Sequence, residues 1–462
     1  MSTNNLNVVV LAAGLGTRMK SKLAKVLHRV GGLSLAEHVV NSAAQLTAPE
    51  KITVVVGHQA GEVQAELQNT GVRFVRQAEQ KGTGHALLGC RDLLAPEGGR
   101  VMVLYGDTPL LTAETLRKLE AAHEAGDAAA TMITTTLADP TGYGRVILDS
   151  HGKVLEIVEQ KAASAAQLAI RLINSGIYLF DAERLWTHIS EIRADNPAHE
   201  YYLTDIAGIL NDSGHRVRAL QIDDASELLG INTRLDLAEV DRVIRGRKNR
   251  ELMLAGVTIE RPETVTVDMK VRIGADTVLE AGARLLGNTV IGEECRIGAG
   301  SIIENSTIGD RVRVAPLTIV ESSTIGEDSR VGPYSRLRPN NTVGAGAHIG
   351  NFVELKKTRL GAGAKANHLA YLGDSDVGAK VNVGAGTIVC NYDGVSKYPT
   401  RIGDGAFVGS NSTLVAPLAI GEGAYVGAGS VITEDVPAGS LALGRARQTV
   451  KERWAEKKKN GA

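Results

Sequence analysis

The sequence predicts a two-part fold: an α/β half built as a doubly wound, Rossmann-like parallel sheet, then a parallel β-solenoid. Three observations predict it. In the second half an aliphatic residue returns every six positions, through Ile273, Leu279, Leu285, Ile291, Ile297 and Ile303, again from Ile325 to Leu355, and again from Ile402 to Ile432. Period six fits neither a 3.6-residue helix nor an alternating strand, and a short repeat sustained this long marks stacked coils, three hexads to a coil. In the first half short apolar runs alternate with helical stretches, the pattern of strands wound in parallel. Fifty-two glycines, beside ten tyrosines, four phenylalanines and two tryptophans, suit a solenoid that turns its corners at small residues.

Size and composition bound the rest. A chain of 462 residues exceeds one ordinary core. The expected division is a first domain over 1–234, a connecting helix over 235–254 and a second domain over 255–462. Fifty-one Lys and Arg against 52 Asp and Glu argue against a general nucleic-acid or membrane-surface binder, so any anion site must be local. Cys90, Cys295 and Cys390 lie far apart without a CxxC pair, which fits a reducing cytoplasm and offers no zinc site. The opening MSTNNLN has no basic leader region, and Val8 to Ala13 is too short to span a membrane, so a soluble cytoplasmic protein is expected.

Strands are predicted at Val8–Ala13, Ile52–Val56, Val72–Val75, Val101–Tyr105 and Ala130–Thr135, with helices at His85–Leu94 and Thr112–His123. Ligands of such sheets bind at the carboxyl ends of strands. The first end runs into Gly14-Leu15-Gly16-Thr17-Arg18-Met19, with Lys25 beyond. Two glycines let backbone N–H groups approach a phosphate, and Arg18 and Lys25 can neutralise a triphosphate; a tight turn with solvated cations is the plainer alternative. A later end carries Tyr105-Gly106-Asp107. A carboxylate just past a buried strand suits a Mg²⁺ ligand in nucleotidyl transfer, or simply a cap on the next helix. His28, His38, His58 and His85 have no metal spacing and read as structural or surface residues.

In the solenoid, Leu355 and Val377 stand 22 residues apart, which reads as a break in the register, and Asn391 to Thr400 as a second excursion. Residues 18 apart should sit one above the other, about 4.8 Å away. Arg338 and Lys356 then form a stacked pair of cations, and their repulsion predicts an anion between them, although both side chains splaying into solvent would also relieve it. Ser410 and Ala428 form a small-residue column along which an extended ligand could lie.

The motif LAAGLGTRM with Lys25 and the strand end at Asp107 resemble the sugar-nucleotide pyrophosphorylases. The hexads, GNFVELKK, ANHLAYLGD, NVGAGT and CNYDG resemble the bacterial bifunctional N-acetylglucosamine-1-phosphate uridylyltransferase/glucosamine-1-phosphate N-acetyltransferase family, over Val8 to about Gln448. The resemblance implies a left-handed β-helix, since left-handed crossovers run against the usual rule and nothing in the periodicity chooses a hand. It implies that Leu11, Ala12, Ala13, Gly14, Gly82, Thr83, Tyr105 and Gly106 line a UTP site and that Gln77 reads uracil. A glutamine amide carries the donor and the acceptor that the edge of uracil needs. Gly144, Glu159 and Asn174 would meet the sugar, and Asp107 and Asn232 would hold Mg²⁺.

For the second half the resemblance implies that His368 is the general base of acetyl transfer from acetyl-CoA to glucosamine 1-phosphate. Glu354 is available to orient it. Arg338, Lys356, Tyr371 and Asn382 would hold the sugar phosphate, and Ala385, Asn391, Tyr392, Ser410, Ala428 and Arg445 would line the acetyl-CoA site. The product, N-acetylglucosamine 1-phosphate, would then react with UTP in the first half. The family assembles as homotrimers with the acetyl site between subunits. Leu15 departs from the family's basic preference at that place, which leaves phosphate binding to Arg18, Lys25 and the metal. The reading competes with a monofunctional nucleotidyltransferase whose β-helix is a regulatory or trimerisation scaffold. The tail Lys457-Lys458-Lys459 reads as a disordered end.

Overall fold

The computed structural model describes residues 5–459 apart from 151 and 197; the first four residues of the opening stretch lie outside it. The chain divides into two compact units, the first reaching Ile244 and the second beginning at Arg245.

The first unit is built on one sheet. Its strands are β1 (Leu6–Ala12), β2 (Ile52–Val56), β3 (Arg73–Arg76), β4 (Arg100–Tyr105), β5 (Ala130–Thr136), β6 (Arg145–Leu148), β7 (Val154–Val158), β8 (Leu172–Asp181) and β9 (Val217–Gln221). The main order is β9-β5-β8-β4-β1-β2-β3, with β6 and β7 attached beside β8. β1 is buried along its whole length because helices cover both faces, which is why its sequence from Val8 on is a continuous apolar run rather than an alternating one. It pairs in parallel with β2 and β4, as the winding pattern predicts. The sheet is not parallel throughout: β8 runs antiparallel to both β4 and β5, with a bulge between Asn174 and Tyr178. The helix expected over His85–Leu94 is two helices, Thr83–Leu88 and Arg91–Leu94, parted at Gly89 and Cys90. Thr112 caps its helix through Thr115 N as a threonine at that place should.

The second unit is a parallel β-helix of three sheets with 11, 10 and 9 strands, each strand paired with the one three further on except at the last rung, where the final strand is two further on. One aliphatic residue per short strand points inward, and these residues form a single core from Leu252 to Val436. The glycine after an inward residue is required by close approach: a Cβ on Gly298 would lie 2.4 Å from Pro316 N in the next coil. The left-handed corner residue is a different one and often not glycine. It is Asp276, Glu294, Arg311 and Asp328 along one edge, and Leu317, Tyr334, Phe352 and Leu369 along another.

The stretch from Leu355 to Val377 is not a break. Leu360, Ala366 and Leu372 are buried between them, so the inward positions step by five, six, six and five residues. Such coils hold 17 residues, as Lys365 opposite Asn382 shows, where others hold 18, as Arg330 opposite His348 shows. A corner that takes one residue fewer leaves the stack intact. The second excursion is real: Asn382 pairs with Phe407, a coil of 25 residues that carries the 391–399 loop. The tail also differs from expectation, since Trp454–Lys459 forms a short exposed helix with Lys458 Nζ 5.2 Å from the Trp454 ring centre.

Candidate functional site

In the first unit the strand ends open into a cleft of about 560 Å³. Leu11, Ala12, Ala13, Gly14, Arg18, Lys25, Gln77, Gly82, Thr83, Tyr105, Asp107, Glu159, Asn174 and Asn232 line it, so most of the residues expected at the nucleotide site come together. Gly106 and Gly144 stand just behind, bonded to Leu11 O and Asn174 N. Gly16 takes a left-handed φ of 61° and carries the lining loop tightly past Lys25, where a Cβ would come within 2.6 Å of the lysine side chain. Leu15 is 55 % exposed at the mouth and makes no polar contact there.

Asp107 and Asn232 arrive from distant parts of the chain and meet at Lys25. Lys25 Nζ pairs with Asp107 and donates to Asn232 Oδ1 at 2.8 Å, while Arg18 Nη2 donates to the same oxygen at 2.7 Å. Ile231 N donates to Asp107 O, which ties the loop before the helix Arg234–Leu254 to the end of β4. Asp236 then fixes Asn232 from behind, accepting from Asn232 N at 2.9 Å and Thr233 N at 2.8 Å. Among the described residues no three His, Cys, Asp or Glu side chains converge as a metal cage. Two hard oxygens at one point fit a Mg²⁺ ion that takes its remaining ligands from phosphate and water.

The inner part of the cleft holds a largely buried carboxyl. Burial raises the pKa of Glu159 despite the Thr204 hydroxyl bonded to it, and Glu200 and Asp205 add to the rise. Glu200, Tyr202 and Thr204 line the cleft too, and so does Gln80. Sequence reasoning missed the 200–204 segment because no spacing links it to the glycine loop. The link is spatial: Gly84 N donates to Tyr201 O and Leu203 N to Thr83 Oγ1.

In the second unit His368 ends its strand on an open edge, and its register partner is Asn351. His368 Nδ1 lies 2.8 Å from Asn351 Oδ1. Glu354, expected to orient the histidine, is instead bonded to Arg338 at 3.2 Å. An outward residue meets the residue one coil away in its own column, and the column of His368 holds Asn351. Lys356 is largely buried and bonded to Asp374 Oδ2 at 3.1 Å, and Asn391 donates to the same oxygen. Burial alone would lower the Lys356 pKa, but Asp374 outweighs it and the net shift is upward, while the nearby Lys397 is lowered by Lys356. The stacked cations therefore each find a carboxylate within the chain, which relieves the repulsion without requiring a bound anion.

Tyr371 lies in register between Glu354 and Ile388, and Asn382 is outward on the strand beyond His368. Ala385 O accepts from Asn411 N, and Ser410 O from Gly429 N, so these small residues follow one another up the coils. Gly429 would place a Cβ 3.9 Å from Arg445, which brings that arginine beside Ala428. Tyr392 is exposed in the 391–399 loop with its hydroxyl bonded to Gly394 O.

Comparison with known proteins agrees with both halves. Residues 8–169 match the MobA-like NTP transferase domain, residues 263–338 the GMPPB C-terminal domain, and residues 399–434 the hexapeptide repeat of succinyl-transferase. A bifunctional protein GlmU from Solibacter usitatus is 61 % identical over 454 residues, 98 % of this chain and 97 % of its own length. Proteins of the same name from Koribacter versatilis and Shouchella clausii are 50 % and 47 % identical, covering 99 % and 97 % of this chain and 98 % of their own lengths in each case.

Proposed function

The chain belongs to the GlmU family of bifunctional proteins, and from that premise we propose that it makes UDP-N-acetylglucosamine by two successive transfers. It is a nucleotidyltransferase and an acetyltransferase in one polypeptide. The β-helix, left-handed in this family, acetylates glucosamine 1-phosphate from acetyl-CoA, and the first unit joins the product to UTP with release of pyrophosphate. The observation that carries the reading is that one chain holds both constellations, Asp107 with Asn232 at Lys25 and His368 with Asn351.

In the acetyl step Asn351 Oδ1 accepts from the His368 ring, so Nδ1 carries the hydrogen and Nε2 is free to take the proton from the attacking amine. Arg338, Lys356, Tyr371 and Asn382 are available to the sugar phosphate, and Ala385, Asn391, Tyr392, Ser410, Ala428 and Arg445 to acetyl-CoA. No covalent enzyme intermediate is invoked. In the uridylyl step the sugar phosphate attacks the α-phosphorus in line, and Arg18 and Lys25 offset the charge that grows on the triphosphate. Asp107 and Asn232 would hold Mg²⁺, which when bound polarises the phosphoryl oxygens. Burial around Glu159 favours hydrogen bonding to sugar hydroxyls over solvent.

We propose a cytoplasmic homotrimer with catalytic halves over 1–234 and 255–462 joined by the helix Arg234–Leu254. No described helix is long and apolar enough to cross a membrane. The exposed apolar edge of Leu317, Tyr334, Phe352 and Leu369, with the Tyr334 and Phe352 rings stacked at 5.5 Å, supports packing of the prism against copies of itself. The test follows thiol release from acetyl-CoA with glucosamine 1-phosphate. His368→Ala should lower it about 10²–10⁴-fold and leave UTP consumption with supplied N-acetylglucosamine 1-phosphate intact, while Asp107→Ala should do the reverse. A parent protein that releases no thiol would leave the β-helix as a scaffold.

A further inference from the structure

Gln77 directly follows β3 and is 7 % exposed, with its backbone N–H bonded to Val56 O at 2.8 Å. Its side-chain Nε2 lies 3.1 Å from Gly82 O and 3.1 Å from His85 Nδ1. A carbonyl oxygen only accepts, so the amide nitrogen must be the atom that faces Gly82. The second amide hydrogen then points at His85 Nδ1, which must carry a lone pair, and the ring hydrogen sits on Nε2. Both donors of Gln77 are spent on the protein. What the side chain has left for a ligand in the cleft is Oε1, an acceptor.

His85 is well placed to enforce this. It sits in the helix Thr83–Leu88, whose first turn is held to the 200–204 segment by Gly84 N on Tyr201 O and Leu203 N on Thr83 Oγ1. Its ring lies 6.1 Å from that of Tyr201. It closes one side of the amide.

We propose that His85 is a specificity-determining positioning residue, which locks the Gln77 amide with its oxygen toward the base and so selects uracil over cytosine. The proposal rests on the uridylyl-transfer reading of the cleft. Uracil N3 carries a hydrogen that an acceptor receives, whereas cytosine N3 carries a lone pair that the same acceptor repels. An amide turned over would present its nitrogen and reverse the preference. With Gly82 alone holding the amide, one hydrogen bond of the two is lost, and the flipped state becomes accessible.

The experiment compares kcat/KM for UTP and for CTP, with N-acetylglucosamine 1-phosphate as acceptor, in the parent, His85→Leu and His85→Asn. Leucine fills the space without an acceptor, and asparagine restores one through its amide oxygen. The expected result is a fall of about tenfold in the UTP:CTP ratio for His85→Leu, a net hydrogen bond's worth, and recovery to within about threefold of the parent in His85→Asn. An unchanged ratio in His85→Leu overturns the proposal, as does a folded His85→Asn that discriminates no better than His85→Leu. If His85→Leu does not fold, His85→Phe takes its place, since its ring fills the space without an acceptor; its ratio must fall, and a parental ratio overturns the lock. A parent that consumes neither nucleotide overturns the uridylyl reading itself, which a changed or unchanged ratio between active variants does not.

Discussion

His368 takes its partner from the coil before it, and this decides what substitutions there should do. Asn351→Ala removes the acceptor that fixes the ring tautomer, so kcat of acetyl transfer should fall about tenfold with KM for acetyl-CoA nearly unchanged, read by thiol release. Glu354→Gln loosens Arg338 instead, and should raise KM for glucosamine 1-phosphate more than it lowers kcat. The two variants together distinguish an orienting residue from a phosphate-site residue. The family resemblance pointed to His368, Asp107 and Gln77 through the motifs that hold them, whereas Asn351, His85 and Thr204 were illegible because each acts through a neighbour that only folding supplies. Thiol chemistry offers a separate check at this scale. Burial pushes the Cys90 thiol up to about 12 and raises Cys295 as well, while Cys390 is exposed. At pH 8 a thiol reagent should leave Cys90 and Cys295 unmodified in the native protein and reach all three once it is unfolded.

Among the elements, the helix Arg234–Leu254 illustrates how a cap can serve a site. Burial raises the Asp236 carboxyl, but the N–H groups of Asn232 and Thr233 more than compensate and its pKa lies below the ordinary 3.8. A carboxylate lowered in the folded state contributes stability above its unfolded value and loses it as pH falls through the folded one. The first unit of Asp236→Asn should therefore lose less stability between pH 5 and pH 3 than the parent, by thermal unfolding. Its uridylyl transfer should fall as well, since Asn232 is no longer held. Strand positions were largely legible: Ile52–Val56 matches the expected range residue for residue. The antiparallel β8 was not, because strand direction leaves no mark on a buried apolar run. The five-residue steps were hidden for a related reason. A search at fixed period six steps over Leu360 and sees a gap where the coil has merely cut a corner short.

Taken whole, each unit has its own core, the second running unbroken from Leu252 to Val436. Two thermal transitions are expected, and Ile349→Ala should cost about 2–5 kcal/mol in the second alone. Because coils rest on coils, that loss should spread to both neighbours of the damaged rung and abolish acetyl transfer before uridylyl transfer. The two-part architecture was the most legible feature of the sequence, since alternation and period report directly on winding and stacking. A coil may hold 17, 18 or 25 residues, yet each returns the chain to the same sheet one rung higher. Length in this half is thus quantised like the thread of a screw. Excising residues 296–312 removes one full turn, keeps every later strand over its former sheet, and shortens the prism by about 4.8 Å. Excising only 296–301 also keeps an aliphatic residue at each inward place, but it turns every later face by a third of a revolution over the coils below. The acetyl-site residues from Arg338 to Arg445 all lie beyond the cut and turn together, so acetyl transfer should survive both deletions and the smaller should cost the second unit more stability.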